Sequence, residues 1–379
     1  MRFGCRISVQ PGSSQDKARF VELPYWSADF VGSGPFKVKD WNPGTQLILS
    51  ANDAFVLGRP RIDELVIKIM PDLRTIIANV LAGEADMTLG RGLSFQTGVD
   101  AASRWQSGRL ENVSFKSRFA LYPQFIDPDP PIIQNVEFRR ALMHALDRDA
   151  LAETLQLGMV PAAHAFIGPD HPMYKAIEPQ IVKYAYDPRQ AGQMIEALGY
   201  TRGPDARIRD ASGRPLTVEI RATPGDLYDE IILAVADYWQ RAGVGAETLM
   251  IPRQRQSDRE WRATRPGFEM TRRGTYLSAL DSFYSHRTEL AETNWVGSNI
   301  PRYRSSEFDA LLERLFTTVP IAERTRVVGQ VINHISTNLT MMDLMYDGEP
   351  SLIANRLVNV RARANESTQT WNVHLWDVS

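Results

Sequence analysis

The sequence predicts an α/β fold with two lobes, on three observations. Strand-like and helical patterns alternate over residues 65–89 and again over 216–251, as in β-α-β units, whose crossover is right-handed. The chain has 379 residues, which is enough for two domains of ordinary size. A proline cluster at residues 127–131 separates the two regions, because neither a helix nor a central strand continues through it. We therefore expect a lobe boundary near this cluster.

The first region begins with a predicted β-hairpin. Apolar and polar residues alternate in 34–41 and 45–50, and the intervening Asn42-Pro43-Gly44 is typical of a tight turn. A strand over residues 65–70 and an amphipathic helix follow, and Gly83 closes that helix. A second strand-like run then completes the first predicted β-α-β unit.

The second region is rich in predicted helices. Asp187-Pro188 combines a capping residue with proline at the first helical position. Strand-like residues 216–221 and 244–251 flank a helix over 227–242 and form the second predicted β-α-β unit. Further helices are predicted to begin near Asp147, Ser306 and Pro320.

Composition excludes several classes of protein. The net charge of −2 provides no overall field for a polyanion or an anionic membrane, so no nucleic-acid partner is expected. The single cysteine, Cys5, excludes an intramolecular disulfide and any multi-cysteine metal site. No run approaches the roughly 18 to 20 apolar residues that span a bilayer, so no transmembrane segment is expected. The histidines are scattered and the phosphate-loop, dinucleotide-binding and GxSxG motifs are absent, so we predict no metal, no cofactor and no catalytic residue.

Two local patterns suggest a ligand site. Seven arginines surround Trp261 between Arg253 and Arg273, which is typical of a solvated face but also suits carboxylate binding. Residues 275–303 are rich in Ser, Thr, Asn and Gly and carry aromatic side chains that belong either to the core or to a ligand cleft. These aromatic residues are Tyr276, Phe283, Tyr284 and Trp295.

Seven segments of the chain share their order with one protein family. They are GSGPFKVKDWNPG (32–44), NDAFVLGRPRIDELVIKIMPD (52–72), VLAGEADM (80–87), VEFRRALMHALDRDAL (136–151), YDPRQAGQMIEALGY (186–200), NWVGSNIPRYRSSEFDALL (294–312) and TWNVHLWDV (370–378). In this order they resemble the extracytoplasmic solute-binding proteins of ABC transporters, family 5, the class that binds oligopeptides, dipeptides and nickel.

The resemblance implies a two-lobed periplasmic binding protein-like fold, type II, with the second lobe inserted into the first. We expect an atypical N-terminal segment at 1–24, a first lobe at 25–122 plus 341–379, and a second lobe at 123–340. Family members carry a signal peptide and further strands before the segment that matches Gly32–Gly44. We therefore expect the chain to be N-terminally truncated and its first lobe to be incomplete.

The resemblance also implies a binding protein and not an enzyme. The expected receptor captures a small solute, a peptide above all, between lobes that close about hinges near 121–135 and 339–348. It delivers the solute to the permease subunits of an ABC importer, lies in the periplasm or elsewhere outside the cytoplasm, and is a monomer. Peptide-binding relatives place an acidic residue for the ligand's amino group where this chain has Tyr276, with Asp281 nearby. The expected ligand-binding residues are Arg272, Arg273, Tyr276, Asp281, Phe283, Tyr284 and Trp295.

Several alternatives stay open at this point. The chain could be a truncated or decayed copy without ligand competence. A hydrolase using Asp281 or Glu289 with a water is a further alternative, but the sequence lacks an ordered set of nucleophile, base and orienting group. The solute itself could be a peptide, a sugar, a metal chelate or an opine-like compound.

Overall fold

The computed structural model describes residues 32–89, 93–112, 117–225, 227–348, 350–361 and 369–379, so the predicted segment 1–24 lies outside the described residues. The described helices are α1 Leu73–Leu81, α2 Phe95–Ala102, α3 Val136–His144, α4 Arg148–Gln156, α5 Tyr174–Ile177, α6 Pro188–Ala197, α7 Tyr228–Arg241, α8 Arg259–Ala263, α9 Ser306–Thr317 and α10 Ile321–Asn338. The described strands are β1 Phe36–Asn42, β2 Gln46–Ala51, β3 Glu64–Lys68, β4 Gly108–Asn112, β5 Ser117–Pro123, β6 Thr201–Arg202, β7 Ile208–Arg209, β8 Thr217–Ala222, β9 Gly245–Met250, β10 Phe268–Gly274, β11 Met342–Asp347, β12 Pro350–Ala354, β13 Leu357–Val358 and β14 Asp377–Val378.

A five-stranded mixed sheet organises the second region, in the order β11-β5-β10-β8-β9. Strands β10, β8 and β9 are parallel, and β5 runs antiparallel to both β10 and β11. Helix α7 connects β8 to β9, so the predicted β-α-β unit over 216–251 is confirmed. Trp239 of α7 is fully buried and packs edge-on against Phe268 of β10, with ring centroids 5.1 Å apart.

Buried apolar residues cover both faces of this sheet. Helices α3, α4, α6 and α7 contribute to the core on the first face, and α9, α10 and a 3₁₀ helix at Leu277–Phe283 contribute to the core on the second. Because successive side chains of a strand point to opposite faces, Phe119 belongs to the first core and Tyr122 to the second. The second face carries the candidate site.

The predicted helix starts are confirmed in the second region. Asp147 and Asp187 accept hydrogen bonds from backbone N–H groups in the first turns of α4 and α6. Helix α10 begins directly after Pro320, as predicted. The capping residue of α9 is Ser305, one residue before the predicted Ser306, because its side chain accepts from the N–H of the third helical residue.

The predicted β-hairpin is confirmed, but the predicted β-α-β unit over 65–89 is wrong. β1, β2 and β3 form an antiparallel sheet, so β3 does not lead into a parallel strand. The chain after α1 pairs instead with β12: the Thr88 N–H donates to the Leu352 carbonyl at 3.0 Å, and the Ala354 N–H donates to the Asp86 carbonyl at 2.7 Å. The helix itself was predicted correctly, and Gly83, whose φ is +78°, follows its capping residue Ala82.

The chain crosses twice between the β4–β12 pair and the five-stranded sheet. β4 pairs antiparallel with β12 as far as Asn112 and Pro350, and β5 pairs antiparallel with β11 from Ser117 and Asp347 onward. Both β5 and β11 are members of the five-stranded sheet. The expected second lobe at 123–340 would therefore leave out most of β5 and all of β11, which are hydrogen-bonded within its sheet.

Candidate functional site

Strand β10 and the segment after it position the candidate site. Two neighbouring cavities of about 250 and 400 Å³ lie beside the end of β10, and Arg273 and Ile300 line both of them. Arg273 is exposed and points to the second face of the sheet, with Glu269 on the same side of the strand. The two cavities therefore share one guanidinium group in their linings.

The first cavity has an aromatic base. Tyr122, Phe166 and Phe283 line it, and the ring centroid of Phe283 lies 6.4 Å from Tyr122 and 6.3 Å from Phe166. Phe283 is only 3% exposed and also contacts Phe308 of α9, with ring centroids 6.2 Å apart. This residue is part of the core as well as of the cavity wall.

Tyr276 forms the exposed part of the first cavity, where 43% of its surface remains accessible. Its ring lies directly over Gly274, since a Cβ atom at Gly274 would be 2.1 Å from the nearest ring carbon. Glycine at this position lets the tyrosine ring cross the end of β10. Any larger residue at Gly274 would displace the ring from the cavity.

Half of the residues that line the second cavity are charged. Arg262 forms an ion pair with Glu269, and Arg221 lies 3.4 Å from the same carboxylate. Glu289 also lines this cavity, and burial raises the pKa of its carboxyl group, while neighbouring arginines oppose the shift. Trp295 closes the cavity next to Val296.

Arg265 connects the two walls of the site. Its side chain is fully buried, and its Nη2 donates hydrogen bonds to the carbonyl of Tyr122 at 3.1 Å and to that of Ile300 at 2.8 Å. Burial lowers the pKa of Arg265 to about 10. Within the arginine-rich segment this residue therefore holds a loop against β5 and is neither a solvated surface residue nor a free anion receptor.

The structure brings five of the seven predicted site residues to the cavities. Arg273, Tyr276, Asp281 and Phe283 line the first, and Trp295 lines the second together with Arg273. Asp281 is engaged by Arg287 at 2.8 Å.

Arg272 and Tyr284 line neither cavity. Arg272 alternates with Arg273 along β10, points to the opposite face of the sheet and pairs with Asp347 at 3.0 Å. The Tyr284 hydroxyl donates to Glu313 at 3.2 Å, and burial together with this bond raises its pKa to about 12. Arg272 misses the cavities because side chains alternate along a strand, and Tyr284 misses them because its side chain is directed toward α9.

Several residues of the site were not predicted from the sequence. Tyr122 and Phe166 line the first cavity although they are distant in sequence from the aromatic segment. The alternation along β5 indicates that Tyr122 faces the same side of the sheet as Arg273, but only the pairing of β5 with β10 places them together. Ile300 and Ser298 also line the cavity and lie within the predicted polar segment.

Among the helices that the structure describes, none is both long and apolar enough to cross a bilayer. Within the same described ranges, no group of three or more His, Cys, Asp or Glu side chains is placed to hold a metal ion.

The sequence model for bacterial extracellular solute-binding proteins, family 5 (middle region), matches residues 17–295 of this chain. The chain belongs to this family. Heme-binding protein A of Haemophilus influenzae is 29% identical over 316 residues, which cover 80% of this chain and 52% of that protein. Oligopeptide-binding protein AppA of Bacillus subtilis is 23% identical over 296 residues, which cover 75% of this chain and 50% of that protein. The family 5 chain thus spans about half the length of these curated relatives.

Solved structures show the same fold. NikZ from Campylobacter jejuni, in complex with Ni(L-His), superimposes with a TM-score of 0.72 at 19% identity, covering 94% of this family 5 chain and 70% of NikZ. At this identity the similarity concerns the fold alone. The predicted family and the predicted two-lobed α/β fold are therefore confirmed.

Proposed function

We propose that this protein is the solute-binding receptor of an ABC importer. Outside the cytoplasm it captures a small solute, a peptide above all, between its two lobes. It then delivers this solute to the membrane permease. The observation that carries this proposal is the position of the paired cavities at the end of β10. Gly274, the last residue of β10, lies opposite Ser117, and Ser117 lies opposite Asp347, where the chain passes between the sheets. Ligands of α/β proteins bind at such carboxyl ends of parallel strands.

We also propose revised limits for the second lobe, from Ser117 to Asp347. With these limits the two passages of the chain lie between the β4–β12 pair and the β5–β11 pair. Asn112 lies opposite Pro350 on one side of these passages, and Ser117 lies opposite Asp347 on the other, so a hinge between the two strand pairs would move one lobe against the other. Arg273, Tyr276 and Trp295 would then face the opposing lobe in the closed state.

In this role the protein binds and releases its solute without chemical change. The two carboxylates that the hydrolase alternative would use are placed for other interactions. Asp281 is paired with Arg287, and Glu289 lies among the arginines of the second cavity. A bound peptide is therefore expected to be recovered intact after prolonged incubation, as mass spectrometry of the released molecule would show. Cleavage products that increase with time would contradict a purely receptive role.

Replacing Trp295 by alanine is expected to weaken solute binding by more than about 1 kcal/mol, or about fivefold. The indole lines the second cavity, and the guanidinium carbon of Arg302 lies 5.6 Å from its ring centroid. This contact fixes the ring where it can stack on a solute. Calorimetric titration with the tripeptide Ala-Phe-Ala measures the effect. Trp371→Ala is the matched control, because Trp371 is 42% exposed and lines neither cavity. Equal affinities of Trp295→Ala and the control would remove Trp295 from the site.

A further inference from the structure

The two cavities differ in the charges that surround them. The second cavity is lined by more arginines than carboxylates. The charged residues concerned are Arg259, Arg262, Arg265, Arg273, Glu269 and Glu289. The lining thus holds four guanidinium groups and two carboxyl groups, and this excess of positive charge favours an anionic ligand.

The ion pairs show which arginines carry this excess. Glu269 is compensated by Arg262 and Arg221, and Glu289 is under the influence of the buried Arg265 and of Arg302. Arg273 and Arg259 form no ion pair with a carboxylate of any residue in the described ranges. Arg273 has the better position for a ligand, because it lines both cavities.

The first cavity offers an apolar surface and little for a cation. Its base is formed by Tyr122, Phe166 and Phe283, which suit an aromatic or aliphatic group. Asp281 is the carboxylate among its lining residues, and Arg287 holds it at 2.8 Å. A ligand ammonium group placed here would compete with an existing ion pair.

We infer that the solute is an amphipathic anion, with an aromatic or apolar body in the first cavity and an acid group on Arg273. This inference rests on the proposed function and specifies the ligand class of the same site. A guanidinium group binds a carboxylate through two parallel N–H donors, which fixes the orientation of the ligand as well as its charge. A solute recognised mainly through a free amino group is not expected.

Calorimetry with two probes that share a phenylpropyl body, one ending in a carboxylate and one in the uncharged amide, tests this inference on the full chain. We expect 3-phenylpropionate to bind about tenfold more tightly than 3-phenylpropanamide, since hydrogen bonds between two charged groups are stronger than those to an uncharged amide. Arg273→Gln is expected to remove this preference, so that the acid binds no more tightly than the amide. Arg241→Gln is the matched control, because Arg241 is an exposed arginine of α7 and lines neither cavity.

Equal binding of the acid and the amide to the wild-type chain would overturn the inference. An equal loss for both probes in Arg273→Gln would overturn it as well, because the substitution would then act through the fold. Arg259→Gln provides a second variant, with a smaller expected loss of acid preference. Thermal midpoints equal to that of the wild type confirm that each variant folds.

Two tripeptides separate this inference from the proposed function. Acetyl-Ala-Phe-Ala carries only the acid group, and Ala-Phe-Ala-amide carries only the amino group. We expect the acetylated acid to bind about tenfold more tightly.

Preference for the amine would overturn the inference while supporting peptide capture. Arg273-dependent binding of 3-phenylpropionate without binding of either peptide would support the inference and contradict the peptide part of the proposed function. Binding of none of the four probes would contradict both.

Discussion

Replacement of Arg118 by methionine is expected to lower the free energy of unfolding by about 3–5 kcal/mol, because it leaves a buried carboxylate without its partner. Arg118 Nε lies 2.5 Å from the Asp343 carboxylate, and both side chains are almost completely buried. The guanidinium also donates to the Gly274 carbonyl at 2.9 Å and lies over the Phe166 ring at 4.0 Å from its centroid. Urea denaturation at about pH 7 measures the loss.

The pH dependence of this variant has a definite sign. Burial raises the pKa of Asp343, and Arg118 opposes that shift, so the pKa rises further in Arg118→Met. An acid whose pKa is raised in the folded state favours folding most when it is protonated, and that contribution is lost as the pH rises through the folded pKa. The deficit of Arg118→Met is therefore expected to shrink as the pH falls toward about 4.

The double variant Arg118→Met with Asp343→Leu serves as the control. Removing both charges leaves no unpaired carboxylate, so most of the lost stability is expected to return. A single variant as stable as the wild type at neutral pH would show that Asp343 does not depend on Arg118. A double variant less stable than the single one would indicate that packing, and not charge, sets the stability here.

Phe283→Ala is expected to cost about 3–5 kcal/mol of stability, which is the usual range for removing a buried phenylalanine. The ring is 3% exposed and packs against Tyr122, Phe166 and Phe308. The variant enlarges the first cavity from its base, so binding of apolar probes is expected to change as well. Guanidinium denaturation measures the stability, and calorimetry measures the binding.

The neighbouring Tyr276 provides the contrast to Phe283. Because 43% of its surface is accessible, Tyr276→Ala is expected to change stability by no more than about 0.5 kcal/mol while weakening solute binding. A loss of less than 1 kcal/mol in Phe283→Ala would contradict its place in the core. Equal stability losses in both variants would show that the base and the rim of the cavity are not distinct.

Local sequence patterns predicted much of the fold, because the signals lie within single elements. Asp187 caps α6 through its own backbone neighbours, and the apolar face of α7 repeats at helical spacing. The pairing of residues 86–88 with β12 could not be predicted in this way. Its partner strand lies far along the chain, and only the folded backbone shows where the hydrogen bonds go.

The candidate site shows the same division between local and distant information. The aromatic residues after β10 were recognisable because they lie in polar sequence, and Tyr276 does line a cavity. The opposite directions of Arg272 and Arg273 depend on the limits of β10, which composition does not define. The burial of Arg265 depends on carbonyl groups of β5 and of a later loop, which no pattern near Arg265 reveals.

Native mass spectrometry of the purified full chain, followed by denaturation, tests solute capture most directly. We predict one bound small molecule of defined mass per chain, because solute at about 100 times its dissociation constant stabilises the folded receptor by about 2.7 kcal/mol. We also predict that the released molecule is an acid, and that the double variant Arg273→Gln with Trp295→Ala carries less of it than the wild type at an unchanged thermal midpoint. A folded wild-type chain that retains no small molecule after incubation with Ala-Phe-Ala or 3-phenylpropionate would contradict solute capture at this site. A double variant that carries the molecule to the same extent as the wild type would contradict it as well.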